Sequence, residues 1–188
     1  MAKVYEFLAN GTEEVEALIP VDVLRRADVD IKMVSTTGEL TIVSSHGVKI
    51  VCDALIDDID ITDADLLMIP GGLPGSVNLC EDPLVREMIL RQYEAGKYVS
   101  AICAGPMIFG SLGISKGKRC TCYPGCEDDL VGAYYTAELV TVDGNVITGE
   151  GPAAAFPYAY KLCEILCGPQ TAKALQDGMM YSHLMSQK

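Results

Sequence analysis

Residues 98–106 read Tyr98-Val99-Ser100-Ala101-Ile102-Cys103-Ala104-Gly105-Pro106. The first five residues have the apolar and β-branched character of a buried strand, and an apolar pattern with helical spacing follows Pro106. Ala101 and Gly105 flank Cys103 with the small-residue spacing of a nucleophile elbow, where the chain turns sharply from strand to helix. The stretch therefore predicts a strand, a tight turn that carries a thiol, and a helix.

Short β-rich runs of this kind alternate with helical segments along all 188 residues. This alternation predicts an α/β fold in three layers, with a mostly parallel central sheet and helices on both faces. The chain has no linker-like run or internal repeat, so we expect one domain over 1–188. The predicted strands are 3–8, 31–34, 66–69 and 98–102, with smaller β elements at 41–43 and 48–52 and a hairpin of 138–142 with 145–148; the predicted helices are 13–27, 83–95, 104–112, 153–167 and 171–184, with Thr12 and Asp82 as N-caps.

The charge of the chain argues against two classes of partner. Fourteen Lys and Arg residues stand against 26 Asp and Glu residues, which gives a formal net charge of -12. Nucleic acid and anionic membrane surfaces would repel such a chain. We therefore expect neither nucleic acid nor a membrane as a partner.

The cysteines indicate a reducing compartment. The N-terminus leads directly into a predicted strand without the features of a signal peptide, so we expect a cytoplasmic protein with eight reduced thiols. Cys120, Cys122 and Cys126 are closely spaced, but a fourth zinc ligand is not apparent and no metal site is expected. They are either ordinary strand cysteines, or Cys122 or Cys126 resolves an oxidised Cys103 by forming a disulfide.

Two further segments also follow predicted strands, one after 66–69 and one after 3–8. Ligands of open α/β sheets bind beyond the carboxyl ends of the strands, so we expect both segments to lie near the elbow. The strand 66–69 ends in Pro70-Gly71-Gly72. Glycines let backbone N–H groups approach a ligand closely, so Gly71 and Gly72 are candidate oxyanion donors. A thiol in the first turn of a helix also feels the positive end of the helix dipole, which predicts a lowered pKa for Cys103; a buried structural cysteine is the alternative.

Glu16 follows the first predicted strand and lies on the sheet-facing side of the first helix at 100° per residue. A carboxylate there is costly unless it is protonated or partnered, so we expect a raised pKa and a hydrogen bond to the thiolate. Alternatively, Glu16 reaches solvent near a kink at Pro20. Val15, Leu18 and Ile19 form a second apolar stripe on the opposite side, which indicates either a homodimer interface or added cover from the same chain.

These motifs together resemble the ThiJ/PfpI superfamily, specifically the branch of the parkinsonism-associated protein deglycase. The resemblance rests on Glu13-Glu14-Val15-Glu16 with Ile19-Pro20-Val21-Asp22-Val23, on Pro70-Gly71-Gly72, on Ala101-Ile102-Cys103-Ala104-Gly105-Pro106, and on Gly151-Pro152-Ala153-Ala154-Ala155-Phe156. It covers nearly the whole chain. It implies a flavodoxin-like sandwich and a homodimer.

The resemblance also implies roles for individual residues. Cys103 matches the nucleophilic, oxidation-sensitive cysteine of the family and Glu16 its protonated partner, with Gly71, Gly72 and Ala104 as backbone donors. Where many relatives have a histidine before proline, this chain has Tyr123, and a phenol is a poor base at neutral pH. His46 matches a family position that carries an arginine near the partner's active site, so it either assists in trans or is an exposed turn residue.

The sequence thus predicts a cysteine-dependent enzyme that acts on small reactive carbonyls or glycation adducts, of the glutathione-independent glyoxalase or deglycase type, with no cofactor. Cys103 and Glu16 are the catalytic candidates; Tyr123, His46 and Cys122 are auxiliary pocket candidates. The alternative is a non-enzymatic redox-sensing chaperone or stress-response protein that uses oxidation of the same cysteine. A hydrolase or amidase, or a protein of thiamine-thiazole metabolism, is the third interpretation.

Overall fold

A seven-stranded sheet forms the centre of the computed structural model, which describes residues 1–187. The strand order is β10-β11-β7-β6-β1-β2-β5, and only β10 runs antiparallel to its neighbour β11 among these described strands. Two separate two-stranded pairs, β3–β4 and β8–β9, lie outside it. The strands are β1 (Lys3–Leu8), β2 (Asp30–Ser35), β3 (Thr41–Val43), β4 (Lys49–Val51), β5 (Ala54–Leu55), β6 (Leu66–Ile69), β7 (Tyr98–Ile102), β8 (Arg119–Cys120), β9 (Tyr134–Tyr135), β10 (Val140–Asp143) and β11 (Val146–Gly149).

Helices cover both faces of this sheet, as the alternation predicted. The helices are α1 (Glu14–Arg26), α2 (Gly75–Glu81), α3 (Pro83–Glu94), α4 (Met107–Ser111), α5 (Ala155–Cys167), α6 (Pro169–Gly178) and α7 (Tyr181–Ser186). One core cluster packs α1, α5 and α6 on the first face, and a second packs α2, α3 and α4 on the other. Within the described chain, no helix combines the length and the apolar character that crossing a bilayer requires.

Three predictions about helix ends are wrong. The first helix is capped by Glu13, whose carboxylate accepts a hydrogen bond from the Glu16 N–H at 2.8 Å, while the Thr12 hydroxyl turns back to accept from Ala9 N–H. The helix predicted from Ala104 begins at Met107, because residues 103–106 form tight turns. The helix predicted over 171–184 is two helices, separated at Met180, whose φ of +63° breaks the helical path.

The β3–β4 hairpin lies beside the start of α1 and defines one side of the site. Gly11 N–H donates to the Val43 carbonyl and Ser45 N–H donates to the Thr12 carbonyl, each at 2.8 Å. Val43, Val48 and Val51 of the hairpin segment are exposed, as are Val15 and Leu18 on α1. Ile19, predicted to belong to the same outer stripe, instead packs against the core.

Candidate active site

Cys103 stands on a strained elbow at the end of β7. Its φ is +64°, a conformation that residues with a Cβ adopt at a cost, and its side chain is buried. The strained residue is held from both sides, because its N–H donates to the Gly149 carbonyl at 3.0 Å and its carbonyl accepts from Tyr123 N–H at 2.9 Å. The structure therefore has the elbow geometry that the small-residue spacing predicted.

The thiol's electrostatic environment differs from the prediction. Burial, followed by the charge of Glu16 and contact with its carboxyl, raises the pKa of Cys103, whereas the N–H groups of Ala104 and Gly72 act to lower it. The predicted help from the helix dipole is small, because α4 starts four residues after the thiol and is only five residues long. The expectation of a lowered pKa for Cys103 is therefore wrong for the resting protein.

Glu16 is fully buried beside this thiol, which excludes the alternative that it reaches solvent. It lies in the third position of α1, and its Oε2 accepts a hydrogen bond from Gly71 N–H at 2.9 Å. Burial raises the pKa of Glu16 to about 7, against the lowering effect of its contact with Cys103. The nearby charge of Glu13 adds to the rise. A proton on this carboxyl is consequently exchangeable near neutral pH.

Glu16 and Cys103 behave as a coupled pair, because Glu16 raises the pKa of the Cys103 thiol while the hydrogen bond with Cys103 lowers the pKa of Glu16. When Glu16 is ionised, its charge disfavours the thiolate; when Glu16 is protonated, the repulsion disappears and its O–H can donate to sulfur. A proton transfer from the thiol to the carboxylate keeps one negative charge within the pair. The thiol proton thus has a local acceptor at the moment the sulfur reacts.

The two glycines after β6 have different roles. Gly71 N–H is committed to Glu16, so its predicted role as a free oxyanion donor is wrong. A Cβ at Gly71 would lie 2.6 Å from Cys103 Cβ and 3.0 Å from its Sγ, so any side chain there would displace the thiol. Gly72, with a φ of +91°, leaves its N–H directed at the sulfur. Gly72 and Ala104 therefore remain as the backbone donors.

A pocket of about 360 Å³ opens over the thiol. Tyr123, which is 49% exposed, forms part of its rim together with Leu73. Cys126 lines the pocket, whereas Cys122 does not: it is buried in the core on the opposite side of the sheet from α1. The prediction of Cys122 as a pocket residue is thus wrong. Successive residues of an extended segment point in opposite directions, so Tyr123 faces the pocket while its neighbour Cys122 faces the core.

The pocket wall also contains residues that the sequence analysis did not select. Glu13 lines it and caps α1, and Ser45 lines it next to His46. Glu13 stands three residues before Glu16, which is the spacing of a capping box. This spacing is the sequence signal that could have identified Glu13 as the cap. His46 lines the pocket of its own chain, and its Nδ1 lies 3.1 Å from Glu14 Oε1.

Glu13, Glu14 and His46 are the one group of potential metal ligands among residues 1–187, with ligand atoms within 4.8 Å of one another. His46 Nδ1 lies within hydrogen-bonding distance of the Glu14 carboxylate, so a hydrogen bond accounts for the approach of these two groups. Cys103 and Glu16 are outside this group.

Comparison with known proteins is consistent across sequence and structure. The model of the DJ-1/PfpI family matches residues 2–165. The chain is 34% identical to the glutathione-independent glyoxalase DJR-1.2 of Caenorhabditis elegans, with 87% of each chain covered, and 32% identical to the deglycase PH1704 of Pyrococcus horikoshii, covering 87% of this chain and 99% of that one. It is 36% identical to the protein DJ-1 homolog B of Arabidopsis thaliana, where 88% of this chain spans only 38% of the relative.

The crystal structure of DJ-1beta from Drosophila melanogaster has the same architecture. The TM-score is 0.91 at 32% identity, with 95% of this chain and 97% of that chain covered. The fold is therefore the flavodoxin-like sandwich predicted from the sequence resemblance.

Proposed function

Since this chain belongs to the DJ-1/PfpI family, we propose that it is a cysteine-dependent enzyme acting on small reactive carbonyls or on glycation adducts. The observation that carries the proposal is the placement of Cys103 on a strained elbow, against a buried Glu16 whose pKa is about 7, beneath an open pocket. Two relatives are named a glutathione-independent glyoxalase and a deglycase, which supports this substrate class.

In the proposed reaction the Cys103 sulfur adds to the aldehyde carbon as its proton passes to Glu16. The electron pair of the carbonyl moves to oxygen, which the N–H groups of Gly72 and Ala104 stabilise before it is protonated. The product of this step is a hemithioacetal. Glu16 acts as base and then as acid, a role for which a pKa close to neutrality is well matched.

The test is lactate production from methylglyoxal in the absence of glutathione. The wild-type protein should exceed the buffer rate, and Cys103→Ser and Glu16→Ala should fall to it. Cys167→Ser is the matched control, because Cys167 is a partly exposed thiol at the far end of α5, and it should keep wild-type activity. A wild-type rate equal to that of buffer would refute the enzyme proposal for this substrate.

A redox-sensing role of the same cysteine is the second candidate. The sulfur has Gly72 and Ala104 N–H groups directed at it and an exchangeable carboxyl beside it, which are suitable partners for the oxygens of a sulfinate. If methylglyoxal is not consumed, mass spectrometry of Cys103 after peroxide treatment becomes the deciding measurement. Conversion to sulfinic acid at low peroxide, ahead of the other thiols, would support the sensor.

We also propose a homodimer that forms through the exposed apolar side chains of α1 and the β3–β4 hairpin. Val15 and Leu18 are 39% and 38% exposed, and Val51 is 65% exposed. Val51→Glu should shift the protein from dimer to monomer in sedimentation velocity, whereas Val131→Glu, at an equally exposed position elsewhere, should not. A wild-type monomer at micromolar concentration would contradict the proposal.

The eight free thiols support a cytoplasmic location.

A further inference from the structure

A histidine and a glutamate stand together at the mouth of the Cys103 pocket. His46 lines the pocket and is 69% exposed, whereas the Glu14 side chain is 18% exposed. The imidazole Nδ1 lies 3.1 Å from Glu14 Oε1 and 3.2 Å from its Oε2. Ser45 Oγ is also 3.2 Å from Nδ1. One ring nitrogen of His46, Nδ1, is therefore held by polar partners, while the residue lines the pocket.

The position of His46 is fixed by backbone contacts as well as by its contact with Glu14. Ser45 N–H donates to the Thr12 carbonyl at 2.8 Å, and Gly47 N–H closes the turn onto the Ser44 carbonyl at 3.1 Å. The turn that carries the histidine is thus bonded to the residues just before α1. Because Glu14 and Glu16 lie in the first turn of α1, the same short segment positions both His46 and the partner of the thiol.

A histidine with a carboxylate at Nδ1 carries its proton there and presents Nε2 as a base. Tyr123 also lines the pocket, but a phenol is a poor base at neutral pH. We propose that His46 is the proton-transfer residue of this pocket and that Glu14 is the positioning residue that sets its tautomer. The inference deepens the proposed carbonyl chemistry and rests on it.

The step assigned to His46 follows formation of the hemithioacetal from methylglyoxal. Nε2 removes the proton from C1 and delivers it to C2, while the hydroxyl proton on O1 is passed to O2, so that an S-lactoyl thioester forms. Water then cleaves the C–S bond, which releases lactate and restores the thiol. One hydrogen moves from C1 to C2 and one from O1 to O2, so C1 is oxidised while C2 is reduced within the same substrate. No external oxidant or reductant is consumed.

The groups that face His46 come from two sides. Glu13 and Glu14 approach it from α1, while Cys103, Tyr123 and Cys126 line the pocket with it. Because Glu13, Glu14 and His46 also have the spacing of metal ligands, a chelator separates the two uses of the cluster. Proton transfer by His46 predicts turnover that is unchanged by EDTA.

The experiment compares methylglyoxal turnover by wild type, His46→Gln, Glu14→Gln and Cys103→Ser. The matched control is His183→Gln, which removes the other histidine of the chain, an exposed residue of α7. His46→Gln should lower kcat by about 100-fold, the lower end of the range for general acid–base catalysis, with KM little changed. His183→Gln should match wild type.

Glu14→Gln has a signature that a merely structural residue would lack. Nitrogen-15 NMR of His46 should show the Nδ1–H tautomer in wild type and a loss of that preference in Glu14→Gln.

The outcomes separate this inference from the proposed function. If wild type turns over methylglyoxal and Cys103→Ser does not, the proposed function stands. If His46→Gln is then within twofold of wild type, the inference about His46 is overturned. Loss of turnover in EDTA also overturns it, in favour of a metal at the cluster. Absence of wild-type turnover defeats the proposed function, and the inference fails with it.

Discussion

A buried carboxyl in β1 should limit the stability of the protein. Glu6 is 1% exposed, and neither of its carboxylate oxygens has a hydrogen-bond partner among residues 1–187. Its neighbours in register on the adjacent strands are Met33 and Met68. Glu6→Met places a side chain of similar length in an apolar row, so we expect it to stabilise the fold.

The magnitude follows from the cost of an unpartnered polar group. Burying such a group costs about 1–3 kcal/mol in mutational data, so Glu6→Met should raise the free energy of unfolding by about 2 kcal/mol at low pH. For a chain of this length this corresponds to about 4–8 °C in Tm. The gain in stability from Glu6→Met should increase with pH.

Burial raises the pKa of Glu6 well above its ordinary value, with the charge of Arg25 opposing the rise. The folded state therefore holds a proton that the unfolded chain loses above about pH 4.3. Wild-type stability is fully present below that pH and declines by up to about 1.4 kcal/mol per pH unit above it, until the folded carboxyl ionises. The advantage of Glu6→Met grows over the same range.

Urea denaturation at pH 4.5, 6 and 7.5 measures this difference. Glu6→Gln is the control, because it keeps a buried polar group but removes the ionisation; it should flatten the pH dependence with a smaller gain at pH 4.5. If Glu6→Met is no more stable than wild type at any of the three pH values, Glu6 has a compensating partner and the reasoning is wrong.

Three further results are expected at the site. Glu16→Gln should increase the rate of Cys103 alkylation by iodoacetamide at pH 7, because the carboxylate that raises the pKa of the thiol is gone. The increase should be roughly tenfold, as for a change of one pKa unit. Turnover should nevertheless be lost, and slower alkylation would contradict the coupling of Glu16 with Cys103. Under peroxide, Cys126→Ser should increase the amount of Cys103 sulfinic acid in mass spectra, because a thiol that shares the pocket would otherwise resolve the oxidised Cys103 as a disulfide. Equal effects of Cys126→Ser and of the buried-residue control Cys122→Ser would exclude a resolving role. Gly71→Ala should abolish turnover with a near-native circular dichroism spectrum, since its Cβ would lie 2.6 Å from Cys103 Cβ, and retained turnover would show that the thiol tolerates displacement.

The features that local pattern could predict were the sheet and the elbow. Strands 3–8, 66–69 and 98–102 have the predicted bounds, because each is a short apolar run bounded by turn residues. The spacing of small residues located Cys103, and helical periodicity placed Glu16 against the sheet. These are properties of residues that are close together in the chain.

The electrostatics of the site depended on contacts that no local pattern contains. The pKa of Cys103 is raised by burial and by Glu16, which is distant in sequence, so the elbow pattern alone gave the wrong direction. The pairing of Glu14 with His46 requires the β3–β4 hairpin to fold back onto α1. The sequence predicts Thr12 as the cap of α1 because a threonine hydroxyl is a common capping group, but this hydroxyl accepts a hydrogen bond from Ala9 N–H instead.

The loop after β6 is pressed against the loop after β1 so closely that a Cβ on Gly72 would lie 2.6 Å from the Gly11 carbonyl oxygen. At Gly72 the wall of the pocket is thus backbone against backbone, and no rotamer change can enlarge the pocket there. The rim is different, because Leu73 and Tyr123 are 64% and 49% exposed and their side chains have room to rotate. Selectivity should accordingly be strict for the group that reaches the sulfur and permissive for whatever is attached to it, so that a free aldehyde and a modified side chain on a larger molecule can be admitted by the same opening.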